Sequence, residues 1–590
     1  MALLNRWNSA IDGLNVHCGS RSLCVKNWLL GAQIVSLERG WKIKNLSTAS
    51  RPALSKWNCS VLSTSLEEAI VGKPDCDDSS GREVIGEEET ASEAPLLSAL
   101  RECAEMDAAS FHFPGHRRGS GAPPVMEALI GKSAFAADLP ELPELDNLHA
   151  AEGVILEAQC KAARLFGAEQ TWFLVNGSTC GIQAAVMATC APGEYLILPR
   201  NVHMSAVSAM VLSGALPKYV SPISDSTWGV AHGVQIAQFE AAIREIRSTG
   251  GKIGALLVVS PTYFGICSLI RDLAQVCHAQ DIPLIIDEAH GAHFRFHSKL
   301  PQTALEQGAD IAVQSTHKVL GSLTQSAMLH AQGSRINRAR LAQCLQMLQS
   351  SSPSYLLLAS LDASRAHMEV NRQDSKLDAA LSLAFMVRNA LQQLPGLMIL
   401  DLASMPSDAV AESSIAGTDP LRITVGLWGL GLTGFEADDI LRFEFGVIAE
   451  LPSLRSITFA VSVGSSHRDA TRLIDSFTAL SSRYACRTDQ IVGPISNPLL
   501  QDQAIVWENQ LMYLSPREAF YSKSEEIMVE CALGRVSADL LCPYPPGIAV
   551  LTPGEVITKE AVDYIQAVIA AGGAVSGAID DDFKSVRVLL

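Results

Sequence analysis

Two short apolar runs in this chain each end on a group able to do covalent chemistry. Ile-Pro-Leu-Ile-Ile (282–286) leads into Asp287 and then Glu-Ala-His-Gly-Ala-His (288–293). Ile-Ala-Val-Gln (311–314) leads into Ser315, Thr316, His317 and Lys318. An amine that condenses with an aldehyde and an acid that holds a pyridinium nitrogen are the two groups a pyridoxal phosphate enzyme takes from its protein. The hydroxyls and the imidazole beside Lys318 suit a phosphate. Upstream, Trp172-Phe173-Leu174-Val175 runs into Asn176-Gly177-Ser178-Thr179. That is a strand, a turn and a helix start, and the backbone N–H groups and positive dipole end of a helix start attract phosphate. His203 follows another apolar run and is a candidate for stacking on a cofactor ring. His290, one short turn past Asp287, is a candidate for contact with the reacting centre. Plainer readings stand beside these. Asp287 could cap a helix, His203 could lie on the surface, and His290 with His293 could bind a metal. No acid-rich context supports the metal, and none is expected.

The elements that carry these residues alternate. Residues 153–167 read as an amphipathic helix ended by Gly167 at its C′ position. Strands are expected at 171–175, 195–198, 254–259, 282–286 and 310–314, and helices at 179–190, 269–280 and 301–307. Short apolar strands between helices predict a mostly parallel sheet covered on both faces. Ligands of such sheets bind beyond the carboxyl ends of the strands. Asn176, His203, Thr262, Asp287 and Lys318 all fall there, from five separate segments. Past residue 395 the pattern changes to strand 420–427, helix 435–445 and strand 456–463, an α+β unit.

The chain has 590 residues, 48% hydrophobic and 18% charged, a globular composition. Its net charge of −17 argues against general affinity for nucleic acid, and it has no apolar run of membrane-spanning length. The 14 cysteines form no C-x-x-C pair, which fits free thiols in a reducing compartment. Residues 1–65 hold eight Lys/Arg against two acids and develop no apolar face, the composition of an organellar transit peptide. The expected address is a plastid, with the cytoplasm as the default otherwise. Residues 67–93 reverse sign, ten acids against Lys73 and Arg82, and read as a solvated linker. The expected organisation is therefore a transit peptide (1–65), an acidic disordered linker (66–95), a pyridoxal phosphate-binding major domain (96–395) and a C-terminal α+β region (396–590).

Eight stretches together resemble the bacterial-type Orn/Lys/Arg decarboxylase family: FHFPGHRRG (111–119), LPELDNLH (142–149), EGVILEAQ (152–159), FLVNGST (173–179), DEAHGAH (287–293), STHK (315–318), TGFEADDIL (433–441) and CPYPPGI (542–548). The resemblance implies the aspartate aminotransferase-like fold, pyridoxal phosphate fold type I. It implies pyridoxal 5′-phosphate bound covalently to Lys318, with Asp287 on the ring nitrogen and His203 stacked on the ring. Ser178, Thr179, Ser315 and His317 would surround the phosphate, and His290 would lie near the reacting centre. The implied reaction is decarboxylation of arginine, lysine or ornithine to agmatine or a diamine, feeding polyamine synthesis. Glu144, Asp146 and Glu555 are candidates for holding the distal cation of the substrate. An active site between subunits is implied, hence a homodimer or larger homo-oligomer. Met204 departs from the pattern, since many members have Lys after the stacking His, and this touches substrate contacts more than the cofactor grip. An aminotransferase or lyase on the same scaffold and a catalytically idle regulatory paralogue are the alternatives. Intact Asp287, His317 and Lys318 weigh against the idle form.

Overall fold

A computed structural model describes residues 93–590 apart from 226, 371–374, 403–414, 486–505, 508–509 and 545–546. The expected transit segment lies outside the described residues, as does the linker up to residue 92. Pro95 already opens helix α1 (Pro95–Glu105), where its missing N–H costs nothing.

The centre is a seven-stranded sheet of β1 (Gln170–Leu174), β2 (Tyr195–Pro199), β3 (Leu216–Val220), β4 (Ile253–Val259), β5 (Leu284–Asp287), β6 (Ile311–Gln314) and β7 (Ala327–Ala331). Their spatial order is β1-β7-β6-β5-β4-β2-β3. Neighbours from β6 to β3 pair in parallel. β7 runs antiparallel to both β6 and β1. The expected mostly parallel α/β sheet is what forms. Strands such as β4 and β6 are apolar almost throughout because both faces of a helix-covered sheet are buried.

Helices α2 (Val154–Phe166), α3 (Gly177–Thr189), α4 (Met204–Ser213), α5 (Ile236–Ser248) and α6 (Ile270–His278) flank these strands. α2 ends at Gly167, whose φ of 77° is the left-handed cap its sequence predicts. No helix forms at 301–307, where the backbone makes turns. A single turn forms instead, with the Gln307 amide donating to the Thr303 carbonyl at 3.2 Å, and Gly308, whose φ is 101°, ends it. Thr303 and Glu306 cap that turn reciprocally, and the buried Glu288 accepts the Ala304 amide at 2.8 Å. Strand β7, which sequence reasoning did not anticipate, brings His330 into the core. There its ring bonds Thr171 at 2.8 Å and Gln314 at 3.1 Å.

A second sheet follows, β8 (Met398–Ile399), β9 (Arg422–Gly426), β10 (Leu451–Pro452) and β11 (Ser456–Ala460), in the order β8-β9-β11-β10 and antiparallel throughout. Helix α7 (Gly434–Phe445) starts with a capping box between Thr433 and Glu436. Short strands at Ile266–Ser268 and Ile415–Thr418 pair and lace this region to the first sheet. The last segment pairs Ser524–Met528 with Ser585–Leu589, and Cys542–Tyr544 with Ala574–Ser576. Among the described residues no helix is long and apolar enough to cross a membrane.

Gly181 sets how closely α3 approaches the sheet. A Cβ there would lie 2.7 Å from Val313 Cγ1 and 2.8 Å from Leu174 Cδ1. Alanine would gain about 1 kcal/mol of helix propensity, but overpacking a filled core costs about 1–3 kcal/mol. Gly181→Ala is therefore expected to lower stability by about 1 kcal/mol, read as an earlier denaturant midpoint with an unchanged slope.

Candidate active site at the carboxyl edge of the sheet

The parallel strands place their carboxyl ends on one edge, and the chemistry-bearing residues follow those ends. β5 delivers Asp287, which is buried and accepts the Ala289 amide through Oδ1 at 3.2 Å. Burial pushes its carboxyl above the usual carboxylate range, with Lys318 and the Ala289 amide opposing. β6 delivers Ser315 and a single helical turn, Thr316–Val319, that carries Lys318. Burial pulls the Lys318 ammonium below its ordinary value; the Asp287 carboxylate opposes this and Arg422 reinforces it. The acid and the base thus each move toward neutrality because a charge taken from water is costly.

Lys318 Nζ lies 3.0 Å from His290 Nε2. The other ring nitrogen, Nδ1, is 2.9 Å from Arg422 Nη2, and both residues are buried. Tyr263 packs edge-on against the His290 ring, centroids 5.0 Å apart. Burial first, then Lys318 and Arg422, hold His290 far below the ordinary imidazole value, so its ring is neutral. His293 is drawn elsewhere. Its Nε2 stands 3.1 Å from Asp419 Oδ2, and among the described residues no cluster of His, Cys, Asp or Glu is arranged to hold a metal. Against the cost of burial, His293 and Arg422 hold the Asp419 carboxyl below its usual range.

The phosphate candidates gather from β1, β6 and β7. Ser315 donates to Ser178 Oγ at 2.8 Å, joining the turn after β6 to the start of α3. Gly177 opens α3 with a φ of 74°, and Thr179 is exposed on its first turn. His317 Nδ1 donates to the Ser326 carbonyl at 2.9 Å, just before β7. Its Nε2 can donate to an anion only when the ring is charged, a state that a phosphate dianion itself favours. Thr316 Oγ1 is buried with no hydrogen-bond partner.

His203 caps α4, its Nδ1 accepting the Ser205 amide at 3.2 Å. Burial, with Lys318 adding to it, pulls the ring down to about 4, so it is neutral near pH 7. Its position is tied to the end of the chain. The Met204 amide donates to the Gly547 carbonyl at 3.2 Å, and His203 bridges Ile548. A Cβ on Gly547, whose φ is +85°, would meet the His203 ring at 3.6 Å. The CPYPPGI stretch therefore packs against the candidate stacking histidine, although Pro545 and Pro546 fall outside the described residues.

Two of the acids expected to meet the distal cation of a substrate are engaged elsewhere. Glu555 is buried in an ion pair with Arg200 and also accepts the Thr552 amide at 2.8 Å. Asp146 binds the amides of Asn147, Glu152, Gly153 and Ile155, fixing the start of α2. Glu144 alone remains exposed. Arg422, Tyr263 and Ser326 were missed in the sequence. The available signal for Arg422 was a cation set at the head of an otherwise apolar strand.

A buried acid, a lysine beside it, hydroxyls at a helix start and an unpartnered buried hydroxyl fit pyridoxal phosphate in charge and in donor set. Residues 94–416 match the model of the Orn/Lys/Arg decarboxylase major domain, and residues 501–578 match the C-terminal domain of the same family. An arginine decarboxylase of Bacillus subtilis is 36% identical over 497 residues, covering 84% of this chain and 98% of that protein. One of Bacillus anthracis is 37% identical, covering 84% and 97%. The solved structure of the Escherichia coli constitutive lysine decarboxylase superposes with a TM-score of 0.72 at 20% identity, over 84% of this chain and 82% of that one. The chain belongs to the Orn/Lys/Arg decarboxylase family.

Proposed function

We propose that this chain decarboxylates a basic amino acid, arginine in first place, with pyridoxal phosphate held at the carboxyl edge of the sheet. The observation that carries the proposal is the placement of Lys318, 3.0 Å from His290 and with its ammonium pulled below the ordinary value by burial, on the same edge as the buried Asp287. Bound there, pyridoxal phosphate supplies an aldehyde for the substrate amine and a pyridinium ring that accepts the electron pair left by departing carbon dioxide. The residues supply the rest. Asp287 keeps a proton on the ring nitrogen, and its burial strengthens that contact. Ser178, Ser315, Thr316 and the α3 amides bind the phosphate, with Thr179 at their rim. The neutral ring of His203 would face the cofactor without adding a repelling charge. Lys318 would hold the cofactor aldehyde through its amine, and that amine would also be near enough to carry a proton.

Arginine is favoured because the relatives at 36–37% identity are named arginine decarboxylases, whereas those named lysine decarboxylases match at 24–25%. The product, agmatine, would enter polyamine synthesis. Two copies of the chain would complete the site. Support comes from exposed apolar side chains in the N-terminal part of the described region: Phe111 at 84%, Phe113 at 83%, Val125 at 83% and Leu129 at 78% exposure. Glu144, in the same region, is the acid left to meet a guanidinium or ammonium. The basic first 65 residues support delivery to a plastid.

Purified protein is expected to show a visible absorption band that Lys318→Ala abolishes. Carbon dioxide should be released from arginine at least tenfold faster than from lysine or ornithine. Keto-acid formation without carbon dioxide would instead identify an aminotransferase, and a colourless protein that cannot be reconstituted would identify an idle paralogue. A fluorescent protein fused behind residues 1–65 is expected in plastids, and a diffuse signal would remove that address.

A further inference from the structure

His290 is held by two groups whose donor capacity differs. Arginine has five N–H donors and no acceptor, so Arg422 Nη2, 2.9 Å away, can only donate to His290 Nδ1. A neutral imidazole carries one proton, and it is therefore on Nε2. That proton faces Lys318 Nζ at 3.0 Å, and only an uncharged amine has a lone pair to accept it. An ammonium at this position would set a donor against a donor. Arg422 thus acts on Lys318 through the tautomer of a ring that lies between them.

Arg422 is well anchored for such a role. It heads β9, and its amide donates to the Asp419 carbonyl at 3.1 Å. A Cβ on Gly265 would come within 2.8 Å of Arg422 Cβ, so the strand packs tightly on the turn at 265. The turn 419–422 grips both histidines after β5, Asp419 holding His293 and Arg422 holding His290. Lys318 is faced by Asp287 from β5, His290 from the turn beyond it, His203 at the start of α4, Arg422 from β9 and Glu450 just before β10, with His317 beside it in the chain. Within that set Arg422 and Asp287 pull in opposite directions, and only Arg422 also determines which nitrogen of His290 bears its proton.

We propose that Arg422 is a positioning residue that fixes His290 with its proton on Nε2 and so presents Lys318 as an uncharged amine, the form that attacks an aldehyde. This rests on Lys318 being the cofactor-binding lysine. The test reads cofactor attachment, not turnover. Apo-protein is mixed with pyridoxal phosphate, and the rate at which the visible band appears is followed from pH 6 to 9 for wild type, Arg422→Met and Arg422→Lys. Arg422→Met is expected to move the acid limb of the profile up by about one pH unit, a roughly tenfold slower attachment at a fixed pH on that limb. Arg422→Lys, which keeps a cationic donor, should recover most of the loss. Equal acid limbs in wild type and Arg422→Met would overturn the role of Arg422 while leaving the cofactor reading intact. A wild-type protein that forms no band would sink that reading instead. If Arg422→Met does not fold, shown by its far-ultraviolet spectrum, then ¹⁵N-histidine spectra of wild-type apo-protein decide. A protonated Nδ1 on His290, assigned by its loss in His290→Asn, would refute the proposal.

Discussion

A carboxylate and an amine cannot both be buried at ordinary protonation without a cost that something nearby must offset. At the carboxyl edge of the central sheet Asp287 and Lys318 are both withdrawn from water, and each shifts toward its neutral form. Most of the architecture follows from keeping them there. Parallel β5 and β6 are in register, with Asp287 opposite Val313, so the acid ends one strand and the lysine turn follows the next. Antiparallel β7 returns to the same edge and lets the Ser326 carbonyl orient His317. Helix α3 can press against β1 and β6 because Gly181 has no side chain, and this brings Ser178 to Ser315.

The site was legible in the sequence as far as strand ends go. Apolar runs closing on Asn176, His203, Asp287 and Ser315–Lys318 announced both the sheet and the edge, since a parallel sheet collects the carboxyl ends of its strands on one side. The choice of partners was less legible. Glu555 looked like a free acid because its partner, Arg200, is distant in the chain, and nothing local signals that pair. Asp146 differs, because the amides it accepts lie one to nine residues along the chain, and its position before a Gly-led helix start was a hint of capping. Residues 301–307 had the composition of a helix, but only one turn fits before Gly308, at a φ of 101°, sends the chain into β6. Arg422 and His290 are 132 residues apart, and periodicity carries no record of such a contact.

The two histidines of the DEAHGAH stretch show how a motif divides its labour. Three positions apart on one turn, they look interchangeable and could suggest a metal pair. The fold separates them: His290 turns toward Lys318, and His293 toward Asp419. Both are then met by a single turn of the smaller sheet, so one motif serves both Lys318 and the junction of two sheets.

The tie between Met204 and Gly547 has a further consequence. Asp287 and Lys318 are translated before residue 330, yet the start of α4 at His203 gains this backbone tie only when a segment some two hundred residues later arrives. A ribosome partway along the message would therefore carry Asp287, Lys318 and His203 without the 547–548 backbone that braces the start of α4. That edge of the sheet is thus finished only with completion of the polypeptide, and a chain that ends early would leave His203 without its far neighbour.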